Sequence, residues 1–307
     1  MKHELVVVAL GRNALGKTLP EQKTAVAHTA EVIADIVAEG YQVVLTHSNG
    51  PQIGMLHTAM TEFSRLENDF TAAPMSVCGA LSQGYIGYDL QNAIRTALLN
   101  RGIYKSVCTI ITQVRVDPFD PAFQQPSKVI GRVMNKEDAA AEIEKGNFVI
   151  EAEGGYRRNI PSPKPIDIYE IDAIRTLTDA GQIVIACGGG GIPVLQQGTR
   201  LKGASAIIEK DLTAARLAQM LDADTLLYLT NHEFVSLGED DSVLLKELSV
   251  AEASAYIADE KFDPKTKLPK MEGSVEFVSS GCHKRAIITS LEHALDGLKE
   301  RTGTMIR

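Results

Sequence analysis

Hydrophobic positions along the chain fall into two alternating patterns. Short apolar, β-branched runs predict buried strands, and these runs are Leu5 to Leu10, Val43 to Thr46, Val107 to Val116, Ile183 to Ala186, Leu226 to Leu229 and Ala286 to Thr289. Between them, apolar residues recur every three or four positions, which is typical of amphipathic helices. The alternation predicts an α/β fold with an open, mostly parallel sheet sandwiched by helices.

The helical segments carry the expected start and stop signals. The first stripe runs from Val26 to Val37, with Pro20 near its start and Gly40 just past its end. Further stripes precede Gly102 and Gly181, and another precedes the strand at Leu226. These signals strengthen the prediction of strand and helix in alternation.

One stretch interrupts this rhythm. Between about residues 117 and 168 the chain carries six prolines, at positions 118, 121, 126, 161, 163 and 165. Such a density of proline suits an inserted lobe or lid rather than another strand and helix pair. We therefore expect one domain over residues 1–307 with a protruding subdomain at about 117–168.

Bulk composition narrows the class of protein. A net charge of −8 argues against a general nucleic-acid binder, because such proteins need an excess of Lys and Arg. The apolar run that starts at Leu5 is too short for a signal peptide or a membrane span, so we expect a soluble cytoplasmic protein without a membrane partner. The four cysteines form no CxxC pair, and we expect all four to be buried thiols.

Glycine-rich turns follow three of the predicted strands. They are Gly11-Arg12-Asn13, Thr46 to Gln52 and Cys187 to Pro193. In open α/β sheets ligands collect at the carboxyl ends of strands, where glycine lets backbone N–H groups approach an anion. The three turns are expected to converge on one phosphate-sized pocket, although each alone could be a simple tight turn.

Residues Gly11 to Thr18 also fit the P-loop pattern GxxxxGK[ST]. A P-loop opens directly into its helix, whereas here Leu19-Pro20 follows and the helical stripe starts only near Val26. No aspartate for magnesium ends a later apolar strand. A P-loop NTPase is therefore kept only as a remote alternative.

Eight short segments, in order along the chain, resemble the carbamate kinases of the amino-acid-kinase superfamily. They are Ala9 to Gly11 with Asn13 to Leu15, Thr46-His47 with Asn49 to Gln52 and Gly54, Ser82 to Gly84 with Ile86 to Tyr88, Tyr156 to Arg158, Pro161 to Pro163, Cys187 to Pro193, Lys210 to Leu212 and Leu268 to Lys270. The resemblance implies a kinase that transfers a phosphoryl group reversibly between carbamoyl phosphate and ADP. It also implies a homodimer, a protruding lid, and ATP or ADP as cosubstrate with Mg²⁺ held mainly by the nucleotide.

Site residues follow from combining the resemblance with residue chemistry. Phosphoryl transfer needs in-line positioning and positive charge on the transferring oxygens. Lys128, Lys210, Asp211 and Lys270 are the predicted catalytic residues. Substrate and phosphate contacts are assigned to Gly11, Arg12, Asn13, Ser48, Asn49, Gly50, Gly188, Gly189 and Gly190. Nucleotide contacts are assigned to Gly191, Lys210, Thr230, Asn231 and Lys270.

Plainer interpretations remain for several of these residues. Each lysine could be a solvated surface charge, and Lys210 could form an ordinary ion pair at a helix start beside Glu209 and Asp211. The segment Leu226 to Asn231 could be a buried strand with no nucleotide contact. Tyr156, Arg157 and Arg158 are expected to fix the lid or an interface rather than touch the reacting groups.

Some positions depart from the family's pattern. Arg12 and Ser48 stand where relatives carry glycine, Glu209 replaces an aspartate, Val129 replaces a proline, and Lys265-Thr266-Lys267 replaces Gly-Ser-Met. Arg12 could block the turn if that position needs a positive φ, or could bind a carboxylate or phosphate. The alternatives are therefore a kinase for another small carboxylic or amino acid, or a catalytically weakened nucleotide-binding paralogue. Lys265 and Lys267 could add charge near the phosphates or be solvated loop residues.

Overall fold

The fold was obtained as a computed structural model, which describes residues 3–67, 69–238 and 242–307. The helices are α1 Leu19–Ala38, α2 Gly50–Leu66, α3 Met75–Asn100, α4 Lys136–Glu144, α5 Ile171–Asp179, α6 Lys210–Met220, α7 Val250–Ala258, α8 Leu268–Val278 and α9 Ala294–Leu298. The strands are β1 Leu5–Leu10, β2 Gln42–His47, β3 Val107–Thr109, β4 Gln113–Arg115, β5 Lys128–Met134, β6 Phe148–Ala152, β7 Gly155–Ile160, β8 Asp167–Ile168, β9 Ile183–Ile185, β10 Ile192–Gln197, β11 Arg200–Gly203, β12 Thr225–Thr230, β13 Val235–Leu237, β14 Val243–Leu245, β15 Glu247–Leu248, β16 Arg285–Ser290 and β17 Thr304–Ile306.

An eight-stranded sheet forms the centre of the molecule. Its strand order is β15-β17-β16-β12-β1-β2-β9-β3, and every neighbouring pair is parallel except β16 with β17. The predicted open, mostly parallel sheet is confirmed. The β1 strand, in the middle, is apolar throughout because both of its faces are covered.

Two hydrophobic cores lie on the two faces of this sheet. Alternate residues of β1 enter opposite cores, Val7 one of them and Val8 the other. The Val7 side packs against α6 and α8, through residues such as Leu217 and Phe277. The Val8 side packs against α1 and α3, through residues such as Ile33. The sheet is thus sandwiched by helices, as predicted.

The interpretation of Val107 to Val116 as one strand is wrong. The chain leaves the central sheet after β3 and enters a separate four-stranded sheet of order β11-β10-β4-β8 at Gln113. Between the two strands, buried Thr112 donates its hydroxyl to the Ile110 carbonyl and accepts from the Cys187 amide (3.0 Å). This break therefore positions the turn that follows β9.

Residues 117–168 contain a small antiparallel sheet, β5-β7-β6, with α4 packed beside it. We call this segment the lid. It contacts the body through β5 and α2. Arg157 of β7 donates to the Gly131 carbonyl of β5 (2.9 Å), and Arg158 donates to Asn147 (2.8 Å) and lies 3.5 Å from Glu142. Both arginines hold parts of the lid together.

Two smaller findings complete the fold. Cys78 and Cys187 are buried, but Cys108 is half-buried and Cys282 is exposed, so the expectation of four buried thiols is wrong. None of the helices in the described ranges combines the length and the hydrophobicity that a membrane-spanning helix needs.

Candidate active site

The turn after β1 passes very close to the neighbouring strand β12. The Gly11 amide donates to the Leu229 carbonyl (3.0 Å), and a Cβ on Gly11 would lie only 2.7 Å from that oxygen. Position 11 therefore requires glycine, because the backbone of β12 lies too close for a side chain.

Arg12 and Asn13 follow in a short 3-10 turn, and Arg12 is not among the residues with positive φ. The concern that a side chain at residue 12 would strain the backbone is therefore wrong.

The same turn shows why the P-loop pattern is misleading. Contrary to the expectation of a start near Val26, α1 begins at Leu19 and is capped by Thr18. The backbone amides of Lys17 and Thr18 both donate to the Glu21 carboxylate, at 2.9 and 3.4 Å. A carboxylate of the chain itself thus occupies the position that a phosphate takes in a P-loop. The P-loop alternative is excluded on this geometry.

The turn after β2 is built on a buried histidine. His47 places Nδ1 3.0 Å from the Ser48 carbonyl. Burial, and to a smaller extent the charge of Lys210, lower the pKa of His47 to about 4, although the Ser48 carbonyl acts in the opposite direction. His47 is therefore neutral near pH 7. Asn49 donates its side-chain amide to Ser82 (2.9 Å) and leaves the start of α2 without a side-chain cap.

The turn after β9 is fixed by buried polar side chains. Gln83 donates to the Gly188 carbonyl (3.1 Å), and Thr213 of α6 donates its hydroxyl to the Gly190 carbonyl (3.0 Å). The amides of Gly190 and Gly191 bond to carbonyls of the turn itself. Only Gly189 of this turn lines the cleft, because the other three glycines are buried.

Two lysines converge on one buried aspartate. Lys210 begins α6 and contacts Asp211 Oδ1, while Lys270 of α8 lies 2.8 Å from Asp211 Oδ2. The Asp211 side chain is 4% exposed. Burial acts to raise the pKa of Asp211, but the two ammonium groups outweigh it and hold the pKa at about 2. The hydroxyl of Tyr228 fixes the same turn by donating to the Asp211 carbonyl (2.7 Å).

A third lysine approaches from the lid. Lys128, the first residue of β5, contacts the Glu209 carboxylate, which immediately precedes α6. Glu209 and Asp211 thus hold all three predicted catalytic lysines at one end of α6. The plain alternative of three unrelated surface charges does not describe this arrangement.

The cleft has two compartments. The first, about 810 Å³, lies between α2 and β5; the second, about 540 Å³, lies beside the ends of β1 and β12. Five residues line both, and we call them the junction: Arg12, Ser48, Lys128, Glu209 and Lys210. These five side chains therefore lie where the two compartments adjoin.

The predicted site residues divide between the compartments. Asn49, Gly50 and Gly189 line the first. The second is lined by Gly11, Asn13, Asp211, Thr230, Asn231 and Lys270, and by Lys265 and Lys267. Lys267 also donates to the Ser236 carbonyl (3.1 Å).

Three of the predicted glycines line neither compartment, namely Gly188, Gly190 and Gly191. A Cβ on Gly191 would lie 2.2 Å from Val114, so this glycine serves close packing.

Several residues that shape the site were not predicted as site residues, although His47 and Gln83 lie within the family segments. His47, Gln83, Thr213 and Tyr228 are all buried, and each fixes a turn or a helix start. The available signal was a polar residue at a position that the hydrophobic pattern makes interior, as for Gln83 within α3.

Comparisons with known proteins agree with this geometry. Residues 4–290 match the amino acid kinase family. The carbamate kinase-like protein YqeA of Escherichia coli is 47% identical over 98% of both chains, and a carbamate kinase of Clostridium perfringens is 46% identical over 98% of this chain and 99% of its own. A carbamate kinase from Giardia lamblia bound to AMP-PNP superposes with a TM-score of 0.94, at 34% identity over 99% of this chain and 98% of that one. The chain belongs to the amino acid kinase family, within its carbamate kinase group.

Proposed function

We propose that this protein is an ATP:carbamate phosphotransferase, which transfers a phosphoryl group reversibly between carbamoyl phosphate and ADP. The observation that carries the proposal is the meeting of two compartments at a junction that contains Lys128 and Lys210. Relatives named carbamate kinases match 98% of this chain and 99% of their own length. The Giardia lamblia relative was solved with AMP-PNP, which supports a nucleotide as cosubstrate here.

The two compartments suit the two substrates. The first would take the small acid and its phosphoryl group, against Asn49, Gly50 and Gly189. The second would take the nucleotide, with Thr230 and Asn231 at the adenosine end and Lys270 toward the phosphates. In-line transfer across the junction then needs fixed positive charge, because charge spreads over the phosphoryl oxygens. Asp211 fixes Lys210 and Lys270 without needing to touch the substrate itself.

We propose that Mg²⁺ is brought by the nucleotide. Both oxygens of Asp211 contact lysines, and the described residues contain no cluster of three His, Cys, Asp or Glu side chains able to hold a metal. This donor set fits a magnesium ion bound mainly through phosphate oxygens. When bound, the ion would neutralise phosphate charge.

Three further features belong to the proposal. Residues 1–307 would form one domain, with the lid closing over the first compartment through β5. The active form would be a homodimer, as the family resemblance implies. We place the protein in the cytoplasm, where both substrates of the reaction would be available.

The test measures ATP formed from ADP, Mg²⁺ and carbamoyl phosphate. We expect activity in the unmodified protein and a loss of at least about a hundredfold in Lys210→Ala, the scale of removing a charge-stabilising group. Lys17→Ala is the matched control, because Lys17 is exposed and lines neither compartment. We expect Lys17→Ala to keep its activity, whereas a P-loop enzyme would lose it. Absence of ATP from the unmodified protein would refute the proposal.

A second candidate is a kinase for another small carboxylic or amino acid. One observation favours it: the two departures Arg12 and Ser48 both lie at the junction and so touch the transfer path. ADP with acetyl phosphate, or ATP with a panel of amino acids, separates the candidates. The second requires turnover in that panel and none with carbamoyl phosphate.

A further inference from the structure

We propose that Arg12 is a catalytic residue that binds the phosphoryl group as it crosses the junction. This inference rests on the proposed function. It assigns an additional cation to the transfer step, at a position where the related enzymes are expected to carry glycine.

Arg12 lies where the two substrates would meet. It is one of the five junction residues, and its guanidinium reaches the start of α2. Its Nη2 lies 3.7 Å from the point that a Cβ on Gly50 would occupy. The side chain lines the cleft and leaves both compartments open.

Arg12 is also the uncommitted cation of the junction. Lys128 contacts Glu209 and Lys210 contacts Asp211. Across the described ranges, the Arg12 guanidinium makes no hydrogen bond and no ion pair. An arginine is always charged at physiological pH, so this charge is available to an anion.

The surroundings of the guanidinium make an anion there favourable. Gly50 begins α2, and a helix start carries partial positive charge on its unsatisfied N–H groups. The Asn49 side chain, which could have capped that start, instead donates to Ser82. A guanidinium and a helix start of like polarity therefore face the same space, which a phosphoryl group would neutralise.

The chemistry of the step balances without any further reactant. The bond from phosphorus to the carbamate oxygen breaks, and its electron pair leaves with carbamate. A new bond forms from phosphorus to a β-phosphate oxygen of ADP, which gives ATP. Arg12 would bind two oxygens of the phosphoryl group through its planar fork, a geometry that lysine cannot reproduce.

The experiment compares Arg12→Gln, Arg12→Lys and Arg12→Gly with the control Arg200→Gln. Arg200 is exposed on β11 and, like Arg12, makes no side-chain bond within the described residues. For Arg12→Gln we expect kcat/KM for carbamoyl phosphate to fall about a hundredfold. Arg12→Lys should keep more activity than Arg12→Gln, and Arg200→Gln should match the unmodified protein.

Binding gives a second, independent measurement. Phosphonoacetamide, in which a methylene replaces the bridging oxygen of carbamoyl phosphate, should bind Arg12→Gln at least about tenfold more weakly than the unmodified protein. Equal binding, or an Arg12→Gly variant as active as the unmodified protein or more so, overturns the assignment. If the unmodified protein makes no ATP, the proposed function fails, and the binding ratio still decides whether Arg12 holds the phosphonate.

Discussion

The two sides of the cleft hold their charges by different means. On the wall formed by α6 and α8, Asp211 is 4% exposed and is contacted by two lysines. On the lid, Lys128 is 30% exposed and contacts Glu209, while Arg132 is 45% exposed and pairs with Asp138. Burial makes the wall charges costly to disturb, whereas exposed pairs contribute little to stability. The charges of the wall are therefore fixed by burial, whereas those of the lid are held by pairs that solvent weakens.

The largest effect on the wall is expected from removing the buried carboxylate of Asp211. Asp211→Asn keeps the shape of the side chain but leaves Lys210 and Lys270 facing each other without a counter-charge. We expect a loss of about 3 kcal/mol in the free energy of unfolding and at least about a hundredfold in kcat. Urea unfolding and ATP formation measure the two effects. Full activity in this variant would show that the lysines do not depend on Asp211.

The buried histidine at the end of β2 predicts a pH dependence of stability. Unfolded His47 takes up a proton near pH 6.5, whereas folded His47 does so only near pH 4. The unfolded state therefore binds more protons between these values, and stability falls by about 3 kcal/mol as the pH drops from 6.5 to 4. Half-buried His57 contributes with the same sign, because burial and Arg158 lower its pKa.

Urea unfolding at a series of pH values tests this prediction. In His47→Gln, the free energy of unfolding should change much less between pH 6.5 and 4 than it does in the unmodified protein. His28→Gln, on the exposed face of α1, is the control and should retain the full change. If His47→Gln shows the unmodified slope, the burial of a neutral His47 is not the cause.

Two glycines, one in the turn after β9 and one between β10 and β11, distinguish the effect of backbone strain from that of crowding by neighbouring atoms. Gly189 and Gly198 have similar positive φ values, 67° and 62°. A Cβ on Gly189 would lie 2.0 Å from Asn49 Nδ2, but a Cβ on Gly198 would meet nothing within 4 Å. Gly189→Ala should therefore destabilise the protein by about 2 kcal/mol more than Gly198→Ala, and weaken substrate binding. Equal unfolding free energies for the two variants would show that the contact with the Asn49 side chain does not destabilise Gly189→Ala.

The smallest effect is expected on the lid. Arg132→Gln removes contacts to Asp138 (2.9 Å) and Glu62 (3.5 Å), both of them exposed or half-exposed pairs. We expect the free energy of unfolding to change by less than about 0.5 kcal/mol. A change of more than about 2 kcal/mol, measured in urea, would mean that the lid is held as firmly as the wall.

The sequence predicted the fold far better than the details of the turns. The strand and helix pattern was enough for the central sheet, because buried parallel strands and amphipathic helices have distinct periodicities. It did not reveal the break at Ile110 to Thr112, since β-branched residues continue through the break and into β4 at Val114, and only the hydrogen-bond partners show that β3 and β4 lie in different sheets. The start of α1 was also missed, because its first turn is exposed and carries no apolar stripe.

The candidate site was predicted in composition but not in arrangement. Family motifs indicated Lys128, Lys210 and Lys270, yet the bridging role of Asp211 depends on α6 and α8 meeting in space. Likewise, the glycine run after β9 suggested a continuous cradle. The structure turns only Gly189 toward the cleft, because local hydrogen bonds and neighbours such as Val114 take up the rest.

The position of Lys128 links charge to solvent access. Since it is the first residue of β5, any swing of the lid away from the wall would withdraw one ammonium group from the junction while water enters. Water would then reach the phosphoryl group when fewer positive charges surround it. ADP would instead react with the phosphoryl group while Lys128 lies at the junction. Wasteful hydrolysis would be slowed by the same movement that exposes the substrate, with no separate residue needed to keep water out.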